Sequence, residues 1–124
     1  DSYNANPDSM AAGLRTLAEA PARRRIAVLG SMGELGQHSA EGHASVGRLA
    51  ATLGLDALFT VGSGDAIRIQ QAAAASGLAD TQHFSDHSTC ASHLAGVLQA
   101  GDLVLVKGSR TAAMERLFPL LNDA

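Results

Sequence analysis

Short apolar runs that close on glycine alternate along the chain with longer stretches of helical period. RIAVLG (25–30), ALFTVG (57–62) and LVLVKG (103–108) are rich in branched residues, and QHF (82–84) is a weaker run of the same kind. Runs that are apolar at successive positions have no polar face, which predicts strands buried on both sides, as in a parallel sheet. Asn6 as N-cap and Pro7 at the first helical position predict a helix whose Met10, Leu14 and Leu17 form one buried face. A second helix is expected over about 40–53, with Val46, Leu49 and Leu53 inward. A third runs from near Asp65 through Ile67, Ile69 and an alanine run to Gly77. A fourth begins near Ser85 or Asp86, carries Cys90, Leu94, Val97 and Leu98, and is expected to end at Gly101. The last follows Thr111 with Met114, Leu117 and Leu121, and Pro119 is expected to kink or split it. Strand–helix repetition implies right-handed crossovers and an open, mostly parallel α/β sheet with helices on both faces.

Length and composition narrow this picture. The 124 residues suit one domain, 1–124, without linker or internal repeat. A formal charge of −3 gives no reason to expect nucleic acid or an anionic membrane as partner, and no apolar run is long enough to span a bilayer. No charged-then-apolar run opens the sequence, so a secretory signal is not expected. The single cysteine, Cys90, excludes an internal disulfide, which favours a reducing cytoplasm. The chain opens on Asp1, not methionine, and reads as a piece of something longer.

In open α/β sheets ligands bind beyond the carboxyl ends of the strands. Those ends read GSMGELG (30–36), GSGD (62–65) and KGSR (107–110). No G-x-x-x-x-G-K-[ST] occurs, and in KGSR the lysine precedes the glycine, so there is no P-loop. GSGDA (62–66) lacks the third glycine of a dinucleotide fingerprint and reads as a tight turn capped by Ser63 or Asp65. GSMGELG fits a loop that presents backbone N–H groups and a plain turn equally well, although Glu34 argues against an anion nest. KGSR sets Lys107 and Arg110 at a strand end, with the Ser109 hydroxyl and backbone N–H groups between them, an arrangement suited to a carboxylate or phosphate. His38 and His43, and His83 and His87, lack the companions of a zinc set and are expected at surface or capping positions. Cys90 is expected as a small buried thiol, not as a nucleophile paired with His93. Capping and Asx turns account for the asparagines of DSYNANPDS (1–9) but leave Asp1 and Tyr3 unexplained.

DSYNANPDSM, VLGSMGELG followed by His43 and Gly47, and LVLVKGSR followed by Met114 and Glu115 occur in that order. Together they resemble the UDP-N-acetylmuramoyl-tripeptide–D-alanyl-D-alanine ligases, the MurF branch of the Mur ligases, from the first residue to near the last. The resemblance implies a Rossmann-like three-layer domain, the third of three, whose UDP-sugar-binding and central ATPase domains lie outside this chain. It thereby accounts for the missing P-loop. It implies an amide ligase of peptidoglycan precursor synthesis. ATP and Mg²⁺ activate the tripeptide carboxylate as an acyl phosphate, and the amine of D-alanyl-D-alanine attacks it.

On this resemblance Asp1 contacts the nucleotide ribose, with Tyr3, Asn4 and Asn6 along the nucleotide edge. Lys107, Ser109 and Arg110 face the incoming dipeptide, where a cation can pair with its carboxylate; none of these residues makes or breaks a bond. Mg²⁺ falls mainly to the central domain. The implied partners are UDP-N-acetylmuramoyl-tripeptide, D-alanyl-D-alanine and the two other domains, in the cytoplasm. Ser31 and Gly33 stand where the family loop has aspartate and leucine, which predicts a looser loop. The alternative reading is a stand-alone nucleotide- or carboxylate-binding α/β module without catalysis. KGSR and DSYNANP argue against a sister ligase that adds another amino acid.

Overall fold

The computed structural model describes residues 5–122. Four strands, β1 (Arg24–Leu29), β2 (Ala57–Val61), β3 (Thr81–Phe84) and β4 (Asp102–Lys107), form one parallel sheet in the order β3-β2-β1-β4. Five α-helices cover it: α1 (Pro7–Glu19), α2 (Ser39–Thr52), α3 (Ala66–Ala75), α4 (His87–Val97) and α5 (Leu117–Asn122). Alternation along β1 divides the core. Ala27 and Leu29 face Met10, Leu14, Val46 and Ile69 of α1–α3. Ile26 and Val28 face Cys90, Leu94 and Leu117 of α4 and α5. The expected α/β, three-layer architecture is therefore present. Each fully buried Leu or Ile in these layers contributes ~1.5–3 kcal/mol relative to exposure.

The topology positions the site. From β1 the chain winds through α2, β2 and α3 to β3, then returns through α4 to β4 on the other side of β1. With right-handed crossovers that reversal moves the connecting helix to the opposite face. It also leaves the carboxyl ends of β1 and β4 as the point where the winding diverges, the usual ligand crevice of such sheets.

Local chemistry explains most boundaries. The Asn6 side chain accepts the Ser9 N–H at 2.9 Å while Ser9 Oγ accepts the Asn6 N–H at 3.0 Å, a reciprocal cap that starts α1 with Pro7 in its first turn. Asp86 caps α4 by accepting the Thr89 N–H at 2.7 Å.

Several expectations are corrected. Asp65 occupies the N-cap position of α3, but its carboxylate bonds Arg68 Nε at 2.9 Å instead of capping. Helix α4 stops at Val97, and Gly101 (φ +94°) serves the turn into β4, where its carbonyl accepts the Arg23 N–H at 3.0 Å. The last helix breaks before Pro119: short 3₁₀ turns at Arg110–Ala112 and Met114–Arg116 meet at Ala113, whose φ of 50° is left-handed. Pro119 then falls in the first turn of α5, where a missing N–H costs little. Leu49 and Leu53 are half-buried, while His43, Gly47 and Ala50 complete the inward stripe of α2.

Candidate functional site

The carboxyl ends of β1 and β4 are joined backbone to backbone. The Gly30 N–H donates to the Lys107 carbonyl at 2.9 Å, and the Ser109 N–H donates to the Ser31 carbonyl at 2.8 Å. Glycine is required at this junction. A Cβ on Gly30 would lie 2.7 Å from Ala112 Cβ and from Met114 Sδ; one on Gly108 would lie 2.8 Å from Met114 Cγ and 3.1 Å from Gly30 Cα. The two strand ends thus pack on each other and on the first turns after β4.

An open cleft of about 530 Å³ lies beside this junction, lined by Lys107, Ser109, Arg110, Glu115 and Phe118 among others. The structure therefore gathers the three predicted KGSR residues at one cleft, but they differ in setting. Arg110 is exposed. Ser109 is 5% exposed, and its hydroxyl lies 3.0 Å from Thr111 Oγ1. Its N–H, expected to face a ligand, is instead committed to Ser31. The stem of Lys107 runs toward α1, its Cδ 3.5 Å from where a Cβ on Gly13 would stand. Glu115 and Phe118 were not singled out from sequence. They reach the cleft because the chain turns at Ala113, which apolar periodicity does not register.

Of the nucleotide-edge residues, Asp1, Tyr3 and Asn4 lie outside the described residues. Asn6 is exposed and its side chain caps α1. The start of α1 lies close to the loop after β1: a Cβ on Gly42 would meet Leu35 Cδ1 at 2.9 Å and Pro7 Cγ at 3.3 Å.

The loop after β1 is anchored at its centre, against the expectation of looseness. The Met32 N–H donates to His43 Nε2 at 2.9 Å, which fixes the tautomer: Nδ1 carries the proton and donates to the Ser39 carbonyl at 2.7 Å. His43 is fully buried, so the expectation of a surface or capping histidine fails there. Serine at position 31 is compatible with this anchoring, since the loop uses its carbonyl and not its side chain. The Asp65 carboxyl is held below its ordinary range, first by the Ser39 hydroxyl and then by Arg68.

His38 is exposed at the N-cap position of α2, and the three remaining histidines pack or bond within the fold. His83 Nδ1 lies 2.7 Å from Thr60 Oγ1, and burial lowers the pKa of this imidazole. His87 Nε2 bonds the Ala112 carbonyl at 2.8 Å. The His93 ring packs edgewise on Phe59 with centroids 4.9 Å apart. Burial, with a smaller contribution from Asp86, pushes the Cys90 thiol up to about 11, which bars it as a nucleophile at neutral pH. Among the described residues no group of three or more His, Cys, Asp or Glu could hold a metal ion.

A parallel sheet whose winding reverses at a junction flanked by Lys107 and Arg110 defines an open α/β domain, without a phosphate loop or a metal-holding cluster among its described residues. Residues 1–110 match the family model for the Mur ligase, glutamate ligase domain, and the chain belongs to that family. It is 41% identical over 121 residues to UDP-N-acetylmuramoyl-tripeptide–D-alanyl-D-alanine ligase of Treponema pallidum, covering 98% of this chain and 26% of the relative. The Escherichia coli ligase of the same name is 38% identical over 125 residues, covering 99% and 26%. The crystal structure of MurF ligase from Thermotoga maritima in complex with ADP superimposes with a TM-score of 0.81 at 30% identity, covering 99% of this chain and 27% of that one. A MurF crystal structure from Acinetobacter baumannii gives 0.83 at 32% identity, covering 100% and 27%. The chain thus spans about a quarter of the length of the relatives it matches.

Proposed function

We propose that this chain is the carboxyl-terminal domain of a UDP-N-acetylmuramoyl-tripeptide–D-alanyl-D-alanine ligase, an ATP-dependent amide ligase of peptidoglycan precursor synthesis, and that it acts by positioning substrates. The observation that carries this reading is the gathering of Lys107, Ser109 and Arg110 at a cleft beside the β1–β4 junction. The identity to ligases of that name over nearly the whole chain supports it.

In the reaction a phosphoryl group passes from ATP to the tripeptide carboxylate. The dipeptide amine then attacks the acyl carbon, phosphate leaves, and an amide, ADP and phosphate result. A guanidinium at the cleft pairs with the dipeptide carboxylate and leaves the amine at the other end to attack. That is positioning, and its value lies in the entropy removed before the chemical step. Arg110 is the residue we assign to this pairing, with Lys107 supplying further positive charge and Ser109 shaping the turn. Asp1, Tyr3, Asn4 and Asn6 are assigned to the nucleotide, Asp1 to the ribose hydroxyls. The ADP complex of the Thermotoga relative supports a nucleotide partner.

Magnesium neutralises phosphate charge in such transfers. The described residues offer no cluster to hold it, so no step is assigned to it here. No helix among the described residues is long and apolar enough to cross a membrane, and we place the enzyme in the cytoplasm with its nucleotide substrates.

The test is phosphate release by the full-length protein that carries this chain. Release that requires ATP, UDP-N-acetylmuramoyl-tripeptide and D-alanyl-D-alanine together is expected, with none from residues 1–124 alone. Turnover by the isolated chain overturns the reading of a positioning domain, and a full-length protein that binds nucleotide without amide formation overturns it in favour of a binding module without catalysis.

A further inference from the structure

We infer that His43 is a positioning residue for the KGSR segment, acting through the single peptide group between Ser31 and Met32. The inference rests on the reading of KGSR as the dipeptide subsite. The N–H of that peptide group donates to His43 Nε2 at 2.9 Å, and its carbonyl accepts the Ser109 N–H at 2.8 Å. In a planar trans peptide the N–H and C=O point in opposite directions. Fixing one therefore aims the other. His43 sets the plane and Ser109, in the middle of KGSR, reads it.

The histidine is itself held. Its protonated Nδ1 donates to the Ser39 carbonyl at 2.7 Å in the first turn of α2. One polar chain, Ser39–His43–Met32/Ser31–Ser109, therefore ties the first turn of α2 to the loops that follow β1 and β4. Those two loops flank the point where the winding of the sheet diverges, where ligands bind in such folds. His43 is fully buried, so loss of its acceptor leaves the Met32 N–H without water to replace it. The strain is relieved by rotating the peptide plane, which withdraws the Ser31 carbonyl from Ser109. No other residue on the inward face of α2 is polar at this depth: Val46, Gly47 and Ala50 are packing residues.

The experiment compares His43→Leu and His43→Gln in the full-length protein. Glutamine retains an acceptor for Met32 and a donor for Ser39; leucine retains neither. His43→Leu is expected to raise the KM for D-alanyl-D-alanine roughly tenfold, as loss of one positioning contact does. The KM for ATP should be little changed, and His43→Gln should recover most of the loss. Amide hydrogen exchange should accelerate in 30–36 and in 107–112 of His43→Leu, and not in α4. If His43→Leu does not fold, His43→Asn, whose amide is too short to bridge both partners, replaces it against His43→Gln. Acceleration confined to 30–36, or an unchanged dipeptide KM with both segments accelerated, overturns the inference. A wild-type protein without ligase turnover defeats the functional reading instead, and the exchange comparison then decides the coupling by itself.

Discussion

Arg24 and Asp102, partners in the β1–β4 register, form a two-pronged ion pair at the amino ends of these strands: Nε to Oδ1 at 2.8 Å and Nη2 to Oδ2 at 2.6 Å. The Asp102 side chain is only 4% exposed and also accepts the Gln99 N–H at 2.7 Å. The Arg24 hydrogen bond is the main reason that the Asp102 carboxyl falls to about 2. An aspartate in an unfolded chain titrates near ~3.9. The folded state thus binds this proton less readily, so the pair's contribution is complete above about pH 5 and is lost as pH falls through about 2. Thermal melts from pH 7 to pH 2 should show Tm falling below about pH 4, with Asp102→Asn less stable at pH 7 and less sensitive to acid in that window. Parallel Tm curves for the two proteins would show that Asp102 does not titrate as described.

Gly47 and Gly96 both lie inside helices, so helix propensity alone predicts that alanine stabilises at either place. Packing separates them. A Cβ on Gly47 would stand 2.1 Å from the Ile69 carbonyl oxygen and 2.9 Å from the Ala73 nitrogen, both backbone atoms that cannot turn aside. On Gly96 it would meet nothing within 4 Å. Gly47→Ala is expected to force α2 from α3 at a cost of about 3 kcal/mol, the upper end for overpacking. Gly96→Ala should gain roughly 0.4–1 kcal/mol. Chemical denaturation of the two variants checks this, and a shared sign would refute the packing argument.

Cys90 is fully buried and burial raises its thiol to about 11, so it stays protonated at pH 7. Iodoacetamide at neutral pH should label it negligibly in the folded protein and completely in denaturant. Fast native labelling would mean that α4 opens readily from the sheet.

The architecture was legible because glycine-closed apolar runs and helical spacing are local signals. Asn6–Pro7 and Asp86 even marked helix starts by their chemistry. The position of KGSR at the carboxyl edge followed from chain order alone. What escaped the sequence depends on contacts between distant segments. Ser39, His43, Val46, Gly47 and Ala50 share a stripe at helical spacing, so the burial of His43 was implicit in the period. Its acceptance needed the Met32 N–H, whose direction depends on the path of the loop after β1. The break at Ala113 likewise lies beside the close approach of Gly30, Gly108 and Met114, a contact between segments distant in sequence.

Arg110 and Asp1 provide the sharpest division of the proposed site into its two ligands. If Arg110 holds the dipeptide carboxylate, Arg110→Ala in the full-length protein removes a charge-assisted hydrogen bond worth roughly 1.5–3 kcal/mol. That is about a tenfold to hundredfold loss. It should appear in the KM for D-alanyl-D-alanine, with the values for ATP and UDP-tripeptide much less affected, because an interaction made equally in the bound and transition states changes KM alone. Asp1→Ala should weaken ATP and spare the dipeptide, since a carboxylate accepts hydrogen bonds from both ribose hydroxyls. Steady-state kinetics with each substrate varied in turn separates the two. A raised KM for ATP in Arg110→Ala with the dipeptide unchanged would mean that the cleft beside β4 holds the nucleotide. No change in any parameter would leave Lys107 and Arg110 as cations on a turn without a ligand.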